Sequence, residues 1–281
     1  PEELTSDRYY LRMANSVTGA NVYFRTLMFR NDGSFYWRGV LHEFVEQRKK
    51  TVVEQKIFGD YYVISGRFGA RSNNPQKYFQ DAQVLEKAFN SPEDEDLKDR
   101  YAFYTAQSYR DADMPEKAIE WYAKRANLGG WYEEVYYSLL QIALLKIELN
   151  ASLNEIQNLL LATYEYRPQR AESLYHLARQ LRYHNKARLA YIYATVAANI
   201  PLSKDILFVD HAVYEWKAKE ELAMSANSVG NYQLCHDLCV ELLFNPAVPE
   251  PNRKLLLANK FFIHLYLPCI ERLIFLKMLF C

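Results

Sequence analysis

The sequence predicts a mainly α chain, in which an array of paired helices follows a short region that contains strands. Glycine occurs only 9 times in 281 residues, well below the usual ~7%, which favours helices over loop-rich β structure. From about residue 75 onward, apolar residues recur with the spacing of amphipathic helices. Before that point, runs of aromatic and β-branched residues alternate with most of the glycines, which is typical of short strands and turns.

The charge balance limits the classes of partner. The chain carries 34 Lys and Arg residues against 34 Asp and Glu residues, so its formal net charge is zero. Binding to nucleic acid or to an anionic membrane surface is favoured by a basic excess. No nucleic-acid partner is therefore expected. The glycine-rich motifs of dinucleotide-binding and P-loop proteins are also absent from the sequence.

The cysteines indicate a reducing compartment. All four lie in the last fifth of the chain, so the sequence is not that of a disulfide scaffold, and we expect a cytoplasmic protein. Cys235 and Cys239 would share one face of a helix. They are half of a metal site or, as we favour, small buried apolar residues.

The last 21 residues are strongly apolar. Residues 261–281 include His264, Pro268, Glu271, Arg272 and Lys277, which interrupt the segment too often for a membrane span. We expect a capping helix over the end of the helical array, or a non-native tail.

Two aromatic runs near the N-terminus predict a β-hairpin. Residues 21–29 and 35–45 are rich in strand-forming side chains, and the turn-forming residues Asn31, Asp32, Gly33 and Ser34 separate them. Residues 51–57 and 61–65 are weaker strand candidates.

The remainder predicts four helix pairs after a first helix at 76–89. Small and large residues such as Ala106, Tyr109, Ala118 and Tyr122 fall at the spacings of the 34-residue tetratricopeptide pattern. Small residues let paired helices approach closely, and large ones fill the space between successive pairs. The predicted units cover residues 97–128, 133–168, 171–201 and 210–246.

One motif carries groups capable of chemistry. Trp37, Gly39, His42 and Glu43 lie within seven residues at the end of the second aromatic run. Histidine and glutamate ligate divalent metals or transfer protons near neutral pH. The alternative is a plain surface pair after a strand.

Two arginines flanked by glycines follow. Arg67 and Arg71 could hold a diphosphate, because guanidinium groups match phosphate oxygens, or they belong to a linker between domains. Asp111 and Asp113 have the spacing of a nucleotide–metal motif, but we assign them to the turn of a helix pair.

Together these residues resemble a known family. The run from residue 24 through Trp37, Gly39, His42 and Glu43 to the Gly66–Ser72 segment is similar to the end of the catalytic domain of family 2 glycosyltransferases. The likeness is to the branch in which a GT-A domain precedes a tetratricopeptide array.

The resemblance implies a metal-dependent, inverting sugar transfer. It implies Mn²⁺ or Mg²⁺ as cofactor, a nucleotide-sugar donor, and a protein, peptide or glycan acceptor. His42 would be a metal ligand, Glu43 a catalytic residue on the acceptor side, and Trp37 a substrate contact. Arg67 and Arg71 are our own assignment for phosphate contacts.

We therefore expect three regions. Residues 1–72 would be the remnant of a GT-A domain, 76–260 the tetratricopeptide-like repeats, and 261–281 the tail. The main hypothesis is the C-terminal portion of a glycosyltransferase. It would be inactive alone, because the nucleotide-binding half precedes Pro1 or is absent. The alternative is a non-catalytic repeat scaffold that binds a peptide. An RNA-binding repeat is disfavoured because the repeats lack a basic excess.

Overall fold

The computed structural model describes residues 4–14, 23–64 and 73–258. The chain divides into two compact units, Pro1–Trp121 and Tyr122–Cys281.

The strands are β1 Arg8–Ala14, β2 Tyr23–Phe29, β3 Phe35–Arg38, β4 Phe44–Gln47, β5 Glu54–Lys56 and β6 Val63–Ile64. The helices are α1 Lys77–Phe89, α2 Lys98–Asp111, α3 Pro115–Leu128, α4 Tyr132–Glu148, α5 Leu153–Tyr166, α6 Glu172–Tyr183, α7 Ala187–Asn199, α8 Ala218–Ser228 and α9 Tyr232–Leu243. A π-helical turn, Val213–Lys217, leads directly into α8. The predicted fold class, mainly α with a few strands first, is confirmed.

The first sheet is built around β1. This strand pairs antiparallel with β2, from Arg8 opposite Phe29 to Met13 opposite Tyr23, and parallel with β5 and β6. Tyr9, Met13 and Ala14 are buried, so side chains near both ends of β1 anchor the sheet. The sequence analysis did not identify β1.

The predicted hairpin is wrong in its pairing. Residues 23–29 and 35–38 are strands, but they belong to different sheets, since β2 pairs with β1 and β3 pairs with β4. Asp32 accepts a hydrogen bond of 3.0 Å from the backbone N–H of Ser34, which turns the chain between the two sheets. The true hairpin is β3–β4, and Gly39 (φ +94°) and His42 (φ +54°) bend the connection between its strands.

The β3–β4 hairpin packs on α1 and α2. Leu41 and Phe44 contact the apolar cluster that contains Leu85 and Tyr101. Arg38 forms ion pairs with Glu46 on β4 and with Asp96 before α2, at 3.0 and 2.7 Å, which hold the hairpin against the helices.

In four helix pairs, the first helix ends with the same kind of turn. A left-handed residue follows α2, α4, α6 and α8, with φ between +54° and +83°. In every case the next residue donates a backbone hydrogen bond to the carbonyl five positions earlier, at 2.8–3.0 Å, which is the Schellman pattern. The left-handed residues are Asp113, Asn150, Asn185 and Gly230. The assignment of Asp113 to a turn is confirmed.

Of the small residues expected between paired helices, Ala162 is exposed and the other alanines are buried. Seven alanines of the predicted pattern are at most 1% exposed, as close helix packing requires. They are Ala106, Ala118, Ala143, Ala178, Ala190, Ala194 and Ala223. Cys235 and Cys239 are also fully buried and free, so their assignment as small apolar residues is confirmed.

The predicted division near residues 72–76 stays a prediction, and so does the assignment of 261–281, which lies outside the described residues. Among the helices of the described ranges, none combines the length and the apolar character needed to cross a membrane.

Candidate functional site

A cleft in the first unit brings together three of the five predicted site residues. It has a volume of about 350 Å³ and lies between β2, the β3–β4 connection and α2. We call it the hairpin cleft. Its lining consists of Tyr23, Arg25, Thr26, Trp37, His42, Glu43, Phe44, Val45, Arg100 and Tyr104.

Trp37, His42 and Glu43 all line the hairpin cleft. Trp37 lies on β3 with 57% of its surface exposed, and its ring meets Phe29 edge-on. His42 and Glu43 occupy the β3–β4 connection. Arg67 and Arg71 lie outside the described residues, so their proposed phosphate contacts stay predictions.

His42 forms a wall of the cleft. Its ring stacks on Tyr104 of α2, with centroids 3.9 Å apart and planes within 7°. Desolvation and the nearby Arg100 lower the pKa of His42 below its usual value, so the imidazole is neutral at neutral pH. Its left-handed backbone is unusual for a residue with a Cβ, and the stacking holds it there.

Arg100 is the least exposed cation of the hairpin cleft. Its guanidinium lies 4.9 Å from the ring centroids of both Phe44 and Tyr104 and donates a hydrogen bond to the backbone carbonyl of His42. The contact ties α2 to the hairpin connection. Its Nε is buried and makes no hydrogen bond.

The cleft therefore combines two guanidinium groups, several aromatic faces and one carboxylate. Such a set can bind an oxyanion next to an apolar or aromatic group. Arg25 was not predicted as a site residue, and the Tyr- and Arg-rich run at 100–111 was considered as a saccharide- or peptide-binding face without a role for Arg100 itself. The signal for Arg25 was available, because it is the one charged residue in the strand-like run of residues 21–29.

Within the described part of the chain, no group of three or more His, Cys, Asp or Glu side chains is placed to hold a metal ion. The roles of His42 as a metal ligand and of Glu43 as a catalytic group, and the Mn²⁺ or Mg²⁺ cofactor, stay predictions.

In the second unit, the face formed by α4 and the start of α6 already holds an extended stretch of the chain. Residues 201–209, which connect α7 towards α8, contain no helix or strand. The carboxylate of Glu133 accepts backbone hydrogen bonds from Ile206 and Leu207 at 2.8 and 2.7 Å. The ring of Phe208 packs 4.8 Å from that of Tyr137.

Buried ion pairs fix this 201–209 segment. Asp205 pairs with Arg167 and, at 3.3 Å, with Arg170, and Arg170 also pairs with Glu172 at 2.8 Å. The side chain of Arg170 is fully buried. A buried guanidinium is costly unless its donors are satisfied, and here backbone carbonyls of Leu207 and Phe208 accept further hydrogen bonds from it.

An apolar groove lies between α5 and α7. It has a volume of about 550 Å³, with Leu174 of α6 among its lining residues. We call it the α5–α7 groove. Its lining consists of Leu161, Ala162, Tyr164, Glu165, Leu174, Ile192, Tyr193 and Val196.

Comparisons with known proteins give structural similarity only, since no family model and no curated protein matches the chain. The chain is similar to MamA, with 12% identity over 62% of this chain and 92% of MamA, and a TM-score of 0.45. A Podospora anserina kinesin light chain with nearly identical TPR-like repeats gives 15% identity, coverages of 59% and 85%, and a TM-score of 0.43. BtubC (BKLC) from P. vanneervenii gives 18% identity, coverages of 62% and 72%, and a TM-score of 0.47. The repeat architecture of this chain rests on its own four helix pairs and their turns.

The prediction of a glycosyltransferase is wrong. None of the similar structures reported above is described as a glycosyltransferase, and one is described by its TPR-like repeats. The residues from Trp37 to Glu43, which suggested that family, form a connection held on α2 by ring stacking and a carbonyl hydrogen bond. Short aromatic and glycine patterns of this kind arise from hairpin packing as readily as from a catalytic domain.

Proposed function

We propose that the chain is a non-catalytic protein-interaction scaffold whose repeats bind an amphipathic segment of another polypeptide in the α5–α7 groove. The observation that carries the proposal is an exposed apolar stripe on α7. Leu189, Ile192 and Val196 are 42%, 54% and 39% exposed, and their spacing places them along one side of the helix. Contiguous apolar surface of this kind is typical of interaction sites.

The shape of the groove favours a helical or extended partner. α6 packs against both α5 and α7, and Leu174 of α6 lies in the groove between them. An amphipathic helix can place apolar side chains at positions i, i+3 or i+4, and i+7 into such a groove. Glu165 is the only acidic or basic side chain in the lining, so a partner with an apolar face and a basic flank fits best.

Partner binding on the face formed by α4 and the start of α6 is less favoured. In this structure that face already holds the 201–209 segment through buried ion pairs. A competing peptide would first have to displace those contacts, whereas no described residue would have to leave the α5–α7 groove.

Peptide selection tests the proposal. Peptides of about 18 residues, long enough for five helical turns, would be selected from a displayed random library against the wild-type chain. Their affinities would then be measured by fluorescence anisotropy against wild type and Ile192→Glu. We expect the selected peptides to have an amphipathic pattern. Their affinity for Ile192→Glu should be roughly 10–100-fold weaker than for wild type, because the complex would bury a charged side chain in place of an apolar one.

Leu149→Glu is the matched control. Leu149 is also an exposed apolar residue, at 38%, but it follows α4 and does not line the groove. Its variant should bind like wild type. Recovery of no peptide, or unchanged affinity for Ile192→Glu, would show that the groove is not the partner site.

A further inference from the structure

The hairpin cleft has a second, independent implication, because its two arginines, the exposed Arg25 and the partly buried Arg100, pair with no carboxylate among the described residues, whereas several other arginines do. Arg38, Arg125, Arg167, Arg170 and Arg182 all pair with carboxylates. Among the described residues, no carboxylate forms an ion pair with Arg25 or Arg100. These two guanidinium groups line the same cleft and retain the capacity to bind an anion.

Contacts with neighbouring groups fix the guanidinium of Arg100 in position before any ligand binds. Its guanidinium lies against the rings of Phe44 and Tyr104, and its hydrogen bond to the carbonyl of His42 fixes one terminal nitrogen. The Nε donor is buried without a partner. Because the Nε atom is shielded, a ligand in the cleft would instead reach the other terminal nitrogen, Nη1, which makes no hydrogen bond to the described residues.

The walls of the cleft determine what the anion is attached to. Trp37, Tyr104 and the neutral His42 present ring surfaces, which stack on or meet another aromatic ring edge-on. The volume of about 350 Å³ is at the small end of ligand pockets and suits one ring with its substituent. Glu43 lies at the same site and would accept a hydrogen bond from an N–H group beside the anion.

We propose that the hairpin cleft binds an aryl oxyanion, with a phosphate on an aromatic ring as its preferred form. Arg25 and Arg100 bind the phosphate oxygens, and the ring packs against the exposed Trp37 and meets the edge of Tyr104, whose ring is already stacked on His42. A phosphorylated tyrosine side chain of a partner polypeptide and a free aryl phosphate share this chemistry. The proposal is independent of the α5–α7 groove, which lies in the other unit.

Calorimetric titration with phenyl phosphate tests the site. We expect binding to wild type, and affinities at least about tenfold weaker for Arg100→Gln and for Arg25→Gln, because each removes charged hydrogen bonds. Arg25 is exposed, so its variant should fold even if Arg100→Gln loses its contact between α2 and the hairpin. Circular dichroism and thermal unfolding would confirm that each variant is folded.

Arg48→Gln is the matched control. Arg48 follows β4, is exposed, and lies over the ring of Tyr36 rather than in the cleft. Its variant should bind phenyl phosphate like wild type. The proposal is overturned if wild type does not bind at about 10 mM ligand, or if Arg25→Gln binds as tightly as wild type.

Two further ligands test separately the contribution of the aromatic ring to binding and that of a surrounding polypeptide. Inorganic phosphate should bind more weakly than phenyl phosphate, and equal binding would overturn the role assigned to the aromatic walls. A short phosphotyrosine peptide that binds more tightly than phenyl phosphate supports a polypeptide source. Equal binding by the two supports a free aryl phosphate, and the site itself stands in both cases.

Discussion

His176 on α6 illustrates how burial alters a single group. Its ring lies 4.9 Å from that of Tyr175. Desolvation is the main cause that lowers its pKa to about 4; Arg179 and Lys217 lower it further, while Asp210 and Glu172 oppose them. The imidazole is therefore neutral in the folded state over most of the physiological range.

This depressed pKa predicts a loss of stability in mild acid. Above about pH 6.5 both folded and unfolded states hold neutral His176, and its contribution is fully present. As the pH falls from 6.5 towards 4, only the unfolded state gains the proton, so the free energy of unfolding declines. We expect wild type to lose on the order of 1–2 kcal/mol more than His176→Gln between pH 7 and pH 5, measured by urea denaturation.

His184→Gln is the comparison variant for that experiment. His184 follows α6 and is exposed. Its variant should keep the wild-type pH dependence. If the free energy of unfolding of His176→Gln falls with pH as steeply as that of wild type, other groups cause the acid sensitivity.

Residue-level predictions succeeded where local patterns decide the outcome. Asp113 was assigned to a turn and Cys235 to the core because their surroundings in the sequence are helical hairpins. The part of Arg100 in this cleft could not be predicted, because its partners, Phe44 and the carbonyl of His42, lie 56 and 58 positions earlier. Only the folded chain brings a cation, a carbonyl and two rings together.

At the scale of elements, the 201–209 segment depends on its buried ion pairs. The hydrogen bond from Arg167 is the main cause that lowers the pKa of Asp205, so its carboxylate is charged at neutral pH. Its side chain is only 4% exposed. When this charge is removed, the positive charges of Arg167 and of the fully buried Arg170 lose a negatively charged partner.

Asp205→Asn should therefore loosen this segment without unfolding the repeats. Lys204 is exposed in the segment, and trypsin can cleave after it once the backbone detaches. We expect cleavage at Lys204 to be at least about tenfold faster in Asp205→Asn than in wild type, because a buried charge pair is broken. The rate is measured by mass spectrometry of limited digests.

Asp237→Asn provides the control, since Asp237 is an exposed carboxylate on α9. Its variant should be cleaved at Lys204 at the wild-type rate. An unchanged rate in Asp205→Asn would show that the ion pairs do not hold the segment.

Element prediction from the sequence was accurate for helices and poor for strand pairing. Helices α1 to α7 follow from apolar spacing within their own residues. The pairing of β1 with β5 joins Arg8 to Glu54, and nothing local specifies it. A run of strand-forming residues indicates a strand but not its neighbour, which is why adjacent β2 and β3 were wrongly paired.

At the scale of the whole molecule, each of the two units has an apolar cluster of its own. The cluster around Leu85 and Tyr101 belongs to the first unit, and the cluster around Leu222 and Leu242 belongs to the second. In repeat proteins, each element is stabilised mainly by its immediate neighbours.

A pair of core truncations tests this locality. Leu242→Ala should increase hydrogen exchange in α8 and α9 but leave α1 and α2 near wild-type protection, and Leu85→Ala should do the reverse. Both leucines are at most 1% exposed, so each substitution costs about 2–5 kcal/mol locally. Exchange measured by mass spectrometry distinguishes the two patterns. Equal loosening of all helices by either variant would instead indicate one cooperative core.

The turns that close the four helix pairs also bear on how such a chain is compared with others. Their left-handed residues are separated by 37, 35 and 45 positions, and the last interval is the longest because it contains the 201–209 segment. An alignment that assumes a constant period keeps the first three pairs nearly in step and then places the fourth roughly ten residues out of phase. A search anchored on the turns themselves, with a free interval between them, recovers all four.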